Sequence, residues 1–192
     1  MKKFLLKIKK TGFTLIEILI TLTIFLIISL AIYSTFLLSQ RASQAAQSSI
    51  EMSQNGRVII ERIIREVRQA REVIGDFPGE RQNAVNEIIF EDGHIAEPYH
   101  YVHYFQVDSE IKREVIGYYF SGDPEEKLQP WNALPPAGQT LIKKIIEPAL
   151  VIGELVEQLQ FWGSGGMVNI GLVLKKQDKT FELETSVFGR NF

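Results

Sequence analysis

The sequence predicts an α+β protein, with one long N-terminal helix packed on an antiparallel β-sheet domain. Three observations predict it. Residues 18–40 contain no charged side chain. Residues 57–74 repeat apolar side chains every three or four positions, the spacing of a helix with one buried face. After Pro78 the pattern turns to alternation with period two, the spacing of strands. The expected divisions are a leader at 1–12, a helix at 13–75 with its membrane part at 13–38, and a β-rich domain at 76–192.

The leader Met1-Lys2-Lys3-Phe4-Leu5-Leu6-Lys7-Ile8-Lys9-Lys10 holds five lysines and no acid. The run that follows exceeds the roughly 20 apolar residues that a helix needs to cross a bilayer core. Lysines beside a spanning helix stay in the cytoplasm. The expected topology is therefore a single pass of the cytoplasmic (inner) membrane, N-terminus inside and globular domain exported.

Glu17 is the one acid at the head of this run. Near the bilayer centre it would cost about 2.5–3.5 kcal/mol, and less at the edge. Thr14-x-x-Glu17 fits a capping box, and an acid in the first turn suits the helix dipole. Gly12 disfavours helix and leaves an extended, accessible peptide bond at the membrane surface. An ordinary secretory signal is the rival reading, with Ser29-Leu30-Ala31 as its cleavage site. The apolar run continues through Ile32, Tyr33, Phe36, Leu37 and Leu38, which tells against it.

The Lys-rich leader, Gly12 and Phe13-Thr14-Leu15-Ile16-Glu17 resemble the class III signal of type IV prepilins and type II secretion pseudopilins. The resemblance implies that a prepilin peptidase cuts between Gly12 and Phe13 and N-methylates Phe13. The cut would remove the lysines, keep the anchor and leave an ammonium at the positive end of a helix dipole. Glu17 of the same or a neighbouring subunit would neutralise that charge during filament assembly. Implied partners are other pilins or pseudopilins, prepilin peptidase, and a polytopic membrane platform with its ATPase. The destination is a pilus or pseudopilus.

Many major pilins of that family have proline at the twenty-second mature position, where this chain has Ser34. The stretch Ile60-Glu61-Arg62-Ile63-Ile64-Arg65-Glu66-Val67-Arg68-Gln69-Ala70 is similar to minor pilins and J-type minor pseudopilins. So are Val156-Glu157-Gln158-Leu159-Gln160-Phe161-Trp162 and the close Thr185-Ser186-Val187-Phe188-Gly189-Arg190-Asn191. The implied role is a minor subunit that initiates or helps assemble the filament. A tip-located module that captures DNA, a surface or a secreted protein is the alternative.

Composition narrows the function classes. Removing five leader lysines from a net charge of −2 leaves about −7 in side chains, a poor start for nucleic-acid binding. There is no cysteine, hence no disulfide and no thiolate metal site. No cysteine nucleophile, glycine-rich phosphate loop or clear acid/base pair stands out, so the expectation is no enzyme, no cofactor and no metal.

Residues 34–54 turn small and polar without a helix breaker. Asn55-Gly56 has turn character, yet Ile59, Ile60, Ile63, Ile64, Val67, Ala70 and Ile74 continue the helical stripe. The expected helix runs from Thr14 to Ile74, with a bend near Gly56, and stops at Gly75-Asp76-Phe77-Pro78-Gly79. Glu61–Arg65 and Arg68–Glu72 are spaced for ion pairs. The interleaved acids make this a solvated face rather than a DNA-binding one.

Strands are expected at 86–91, 99–107 and 110–120, the last two joined at Asp108-Ser109. His94, His100, His103 and Glu97 suggest a metal, but His100 and His103 fall on opposite faces of a strand. Cross-strand pairing on an exposed face is the simpler expectation. Residues 121–138 form a loop in which Asp123, Glu125 and Glu126 read as solvated acids, and Trp131 as either a partner anchor or a residue tucked onto the core. Pro148 limits the next strand to about 141–146. A strand ending at Gly163-Ser164-Gly165-Gly166 and a hairpin around Gln177-Asp178, with arms 167–174 and 180–188, complete the chain.

Overall fold

The computed structural model describes residues 12, 14–74, 77–93 and 99–189. Residues 1–11 of the leader, Phe13, Gly75, Asp76, residues 94–98 with His94 and Glu97, and residues 190–192 lie outside them. Among the described residues one long helix precedes seven antiparallel strands, the α+β layout expected. The chain divides into two units, Met1–Gln47 and Ser48–Phe192.

Helix α1 is Leu15–Gln69. In the first unit its apolar side chains are exposed, among them Leu15, Ile20, Phe25, Leu30 and Phe36, each more than half exposed. In the second unit the helix buries one stripe instead: Met52, Gly56, Ile59, Ile60, Ile63 and Val67. No turn forms at Gly56. A Cβ there would stand 2.8 Å from Leu183 Cδ1 and 3.2 Å from Leu174 Cδ1. Glycine at this position serves close packing, and the stripe on either side offsets its helix cost of about 1 kcal/mol.

The helix ends five residues before the expected stop. The backbone of residues 71–74 bonds to a strand instead: Arg71 N–H to Glu91 O at 3.0 Å, Glu91 N–H to Glu72 O at 2.8 Å, and Ile74 N–H to Ile89 O at 2.8 Å. Tertiary ladder bonds override a helical pattern that persists in the sequence.

Seven strands make two sheets rather than one. β1 (Glu87–Glu91), β2 (Tyr101–Val107), β3 (Glu110–Phe120) and β4 (Leu141–Gly153) form the first, in that order. β5 (Val156–Ser164), β6 (Met167–Lys176) and β7 (Lys179–Phe188) form the second. The core lies where the α1 stripe meets both: Ile88, Phe90, Val102, Tyr104 and Ile111 from the first sheet, Leu159, Phe161, Ile170 and Leu172 from the second. Arg113 of β3 pins the helix to the sheet, with Nε 2.9 Å from Glu66 and Nη1 2.9 Å from Glu147 of β4.

β4 runs 13 residues, past the limit expected from Pro148. Glu147 pairs with Val115 and Leu150 with Arg113, so Pro148 and Ala149 together face Glu114 in a bulge. β4 is an edge strand, where a bulge accommodates the missing N–H.

The loop after β3 returns to the sheet. Gln129 N–H donates to Tyr118 O at 2.7 Å, and Trp131 N–H to the Tyr101 hydroxyl at 3.0 Å. Burial pushes the Tyr101 hydroxyl up to about 12. Leu128 takes the space a Cβ would need at Gly117. Trp131 is half-buried here, on the sheet.

Candidate functional site

The site is the head of α1. Thr14 accepts at Oγ1 from Glu17 N–H at 3.4 Å. Glu17 reaches back, and its Oε2 accepts from Thr14 N–H at 2.9 Å and from Thr14 Oγ1–H at 3.0 Å. This is the reciprocal capping box that the spacing suggests, serving donors that would otherwise be unpaired at a helix start. Both bonds fall on one carboxylate oxygen. Gly12, two residues ahead, is exposed, with no atom within 4 Å of where a Cβ would stand. Its neighbour Phe13 lies outside the described residues.

Below the cap, the hydroxyls of Thr21, Thr23, Ser34 and Thr35 are satisfied by their own helix. Thr21 donates to Glu17 O and Ile18 O at 2.9 Å, Thr23 to Leu19 O at 2.8 Å, and Ser34 and Thr35 to Ala31 O at 2.9 Å. Such self-contained hydroxyls can enter a hydrocarbon layer without an unmet donor. The helix is long and apolar enough to cross a membrane, and its most apolar window is 0 % buried within the chain. Ser29-Leu30-Ala31 lies inside this helix.

Residues 7–33 match the family described as the prokaryotic N-terminal methylation motif. The chain is prepilin-like at its N-terminus. The motif, the apolar helix and the antiparallel sheets that follow fit the pilin and pseudopilin superfamily. Such a motif fits an inner-membrane anchor, processing by prepilin peptidase and association with other pilins, and it points to a structural subunit rather than an enzyme. Comparison with curated proteins and with solved structures gave no match.

Other residues singled out in the prepilin-like sequence fall elsewhere. His103 is buried, not on an exposed face, and pairs across strands with Glu114 and Glu87. Asp123 accepts from the N–H groups of Glu125 and Lys127 at 3.0 Å, and Glu126 pairs with Lys144, so the three acids do not converge. Among the described residues no group of His, Cys, Asp and Glu is placed to hold a metal. Of the two expected helix pairs neither forms among the described residues: Glu72 has left the helix, and Glu61 and Arg65 make no ion pair, the i,i+4 pair that does form being Arg62–Glu66 at 3.7 Å.

Sequence reasoning missed one arrangement. Arg81 arches over the Trp162 ring, 5.5 Å from its centroid, to reach Glu182 and Glu184 at 2.8 and 2.9 Å. Gly171 makes room, with Trp162 Cζ3 3.2 Å from its absent Cβ. The only signal in the sequence was the alternation of Glu182 and Glu184 on one strand face.

Proposed function

We propose that this chain is a minor pilin or pseudopilin that helps initiate or assemble a type IV pilus-like or type II secretion filament. Prepilin peptidase cuts between Gly12 and Phe13 and methylates the new N-terminus at Phe13. The five lysines stay in the cytoplasm with the leader, and the β-rich domain is exported. A membrane platform and its ATPase extract the anchor, which then packs among the anchors of neighbouring subunits.

The observation that carries this reading is the Thr14–Glu17 cap at the head of an exposed apolar helix, inside the matched motif. Both cap bonds use Oε2 of Glu17. Its other oxygen is left to accept from the ammonium of an adjacent subunit. That contact neutralises a cation which the helix dipole disfavours and a carboxylate which the bilayer disfavours.

Mass spectrometry of the mature protein from its native membrane tests the reading. The expected N-terminus is Phe13 carrying one extra methyl group. A mature terminus at Ile32, or an uncut Gly12–Phe13 bond in a cell with active prepilin peptidase, overturns it.

A further inference from the structure

Three arginines lie on the outer side of α1. Arg57, Arg65 and Arg68 are exposed. Among the described residues no carboxylate lies within ion-pair distance of them: Glu61, within their arc, pairs with none of the three, and Glu66 holds Arg62 and Arg113. At 3.6 residues per turn they fall within an arc of about 80° along roughly 16 Å of helix. Val58 and Ile50, 63 % and 56 % exposed, extend the same side. A depression of about 510 Å³ opens there, lined by Glu61, Ile64, Arg65, Arg68 and Gln69.

We propose that this face of α1 docks an acidic protein surface on a neighbouring exported subunit. Carboxylates of that subunit meet Arg65 and Arg68, and apolar side chains cover Val58. Charge complementarity sets the partner's sign, because this arc is net positive in a chain of net charge −2. A nucleic acid fits less well. Glu61 sits within the arc, and Val58 and Ile64 flank it. The proposal rests on the reading of this chain as an assembling subunit.

The test uses the full-length chain, which has no native cysteine, so Val58→Cys carries a single photocrosslinker in the native host. Crosslinks to an acidic segment of a second membrane-anchored subunit are expected. They should fall at least tenfold in Arg65→Glu/Arg68→Glu and return when the crosslinked acids are changed to arginine. Arg65→Gln/Arg68→Gln replaces the reversal if circular dichroism shows a disturbed helix. In parallel, detergent-solubilised protein should bind a poly-glutamate peptide more tightly than a short duplex DNA. Tighter DNA binding, or crosslinks indifferent to the arginines, overturns the proposal. If Gly12–Phe13 is found uncut while the charge-dependent crosslink persists, the assembly reading fails and the docking face stands. If cutting and incorporation are normal in the charge-reversed protein and the crosslinks are unchanged, the docking face alone fails.

Discussion

The Nδ1 of His103 stands 2.9 Å from Oε1 of Glu114, directly opposite on the β2–β3 ladder. The other ring nitrogen stands 2.9 Å from Glu87 Oε2 on β1, and Lys143 of β4 reaches the same Glu114 oxygen at 2.7 Å. One row of side chains therefore crosses all four strands of the first sheet. The His103 ring also stacks on Phe105, centroids 4.5 Å apart. Replacing His103 by leucine keeps the bulk but removes a partner from a carboxylate only 7 % exposed. The expected loss is about 1–3 kcal/mol, read as a lower urea midpoint with an unchanged slope.

Glu114 makes the same row sensitive to acid. Burial alone raises its carboxyl, but hydrogen bonds from Lys143 and His103 outweigh burial and hold it below the usual carboxylate value. A lowered folded value means that the stabilisation is present above the unfolded value of about 4.3 and is lost as pH falls through the folded one. Urea midpoints measured from pH 6 down to pH 3 should fall for the native protein. The Glu114→Gln variant should start lower and fall less steeply. Equal slopes for the two proteins count against this role for Glu114.

Gly163 is required by a close approach between β5 and β6. A Cβ at this position would stand 1.9 Å from the carbonyl oxygen of Met167, which is backbone and cannot swing away. Gly163→Ala must part the strands where Gly163 pairs with Val168, itself in the core. Overpacking of this kind costs typically 1–3 kcal/mol. Gly165→Ala, in open space, meets no such clash and is strained only by its positive φ of 60°. Thermal melts should rank Gly163→Ala below Gly165→Ala; the reverse order removes the argument.

Local pattern made most of these elements legible. The turn at Asp108-Ser109, the arms of the β3 hairpin and the cap at Thr14-x-x-Glu17 follow from spacing alone, because neighbouring residues decide them. What the sequence hid depends on distant partners. Residues 71–74 look helical, but β1 offers their backbone a ladder. Pro148 reads as a strand end, yet an edge position lets a bulge absorb it. Neither the split into two sheets nor the burial of His103 has a local signature, since both depend on which strands become neighbours. At the candidate site the cap was readable. On the proposed docking face the arginines were not: Glu61 and Glu72 stand at pairing distance in sequence, and only the geometry shows no ion pair among the described residues.

Glu17 can serve the helix by capping it or the filament by its charge, and two substitutions separate these roles. Glutamine keeps an oxygen that accepts from Thr14 N–H and Oγ1–H, so Glu17→Gln preserves the cap and removes the charge. Glu17→Leu removes both. Losing a cap costs about 1 kcal/mol, small against the burial of an anchor of more than 20 apolar residues, so cleavage at Gly12–Phe13 should remain largely intact in both variants. If the charge matters because it meets an ammonium on the next subunit, glutamine should behave as leucine does, with processed protein left in the membrane and little in filaments. If the cap matters instead, glutamine should incorporate like the native residue. Quantifying processed subunit in sheared filament and membrane fractions decides between them. Normal incorporation of Glu17→Leu excludes both roles, leaving the carboxylate with no part in assembly.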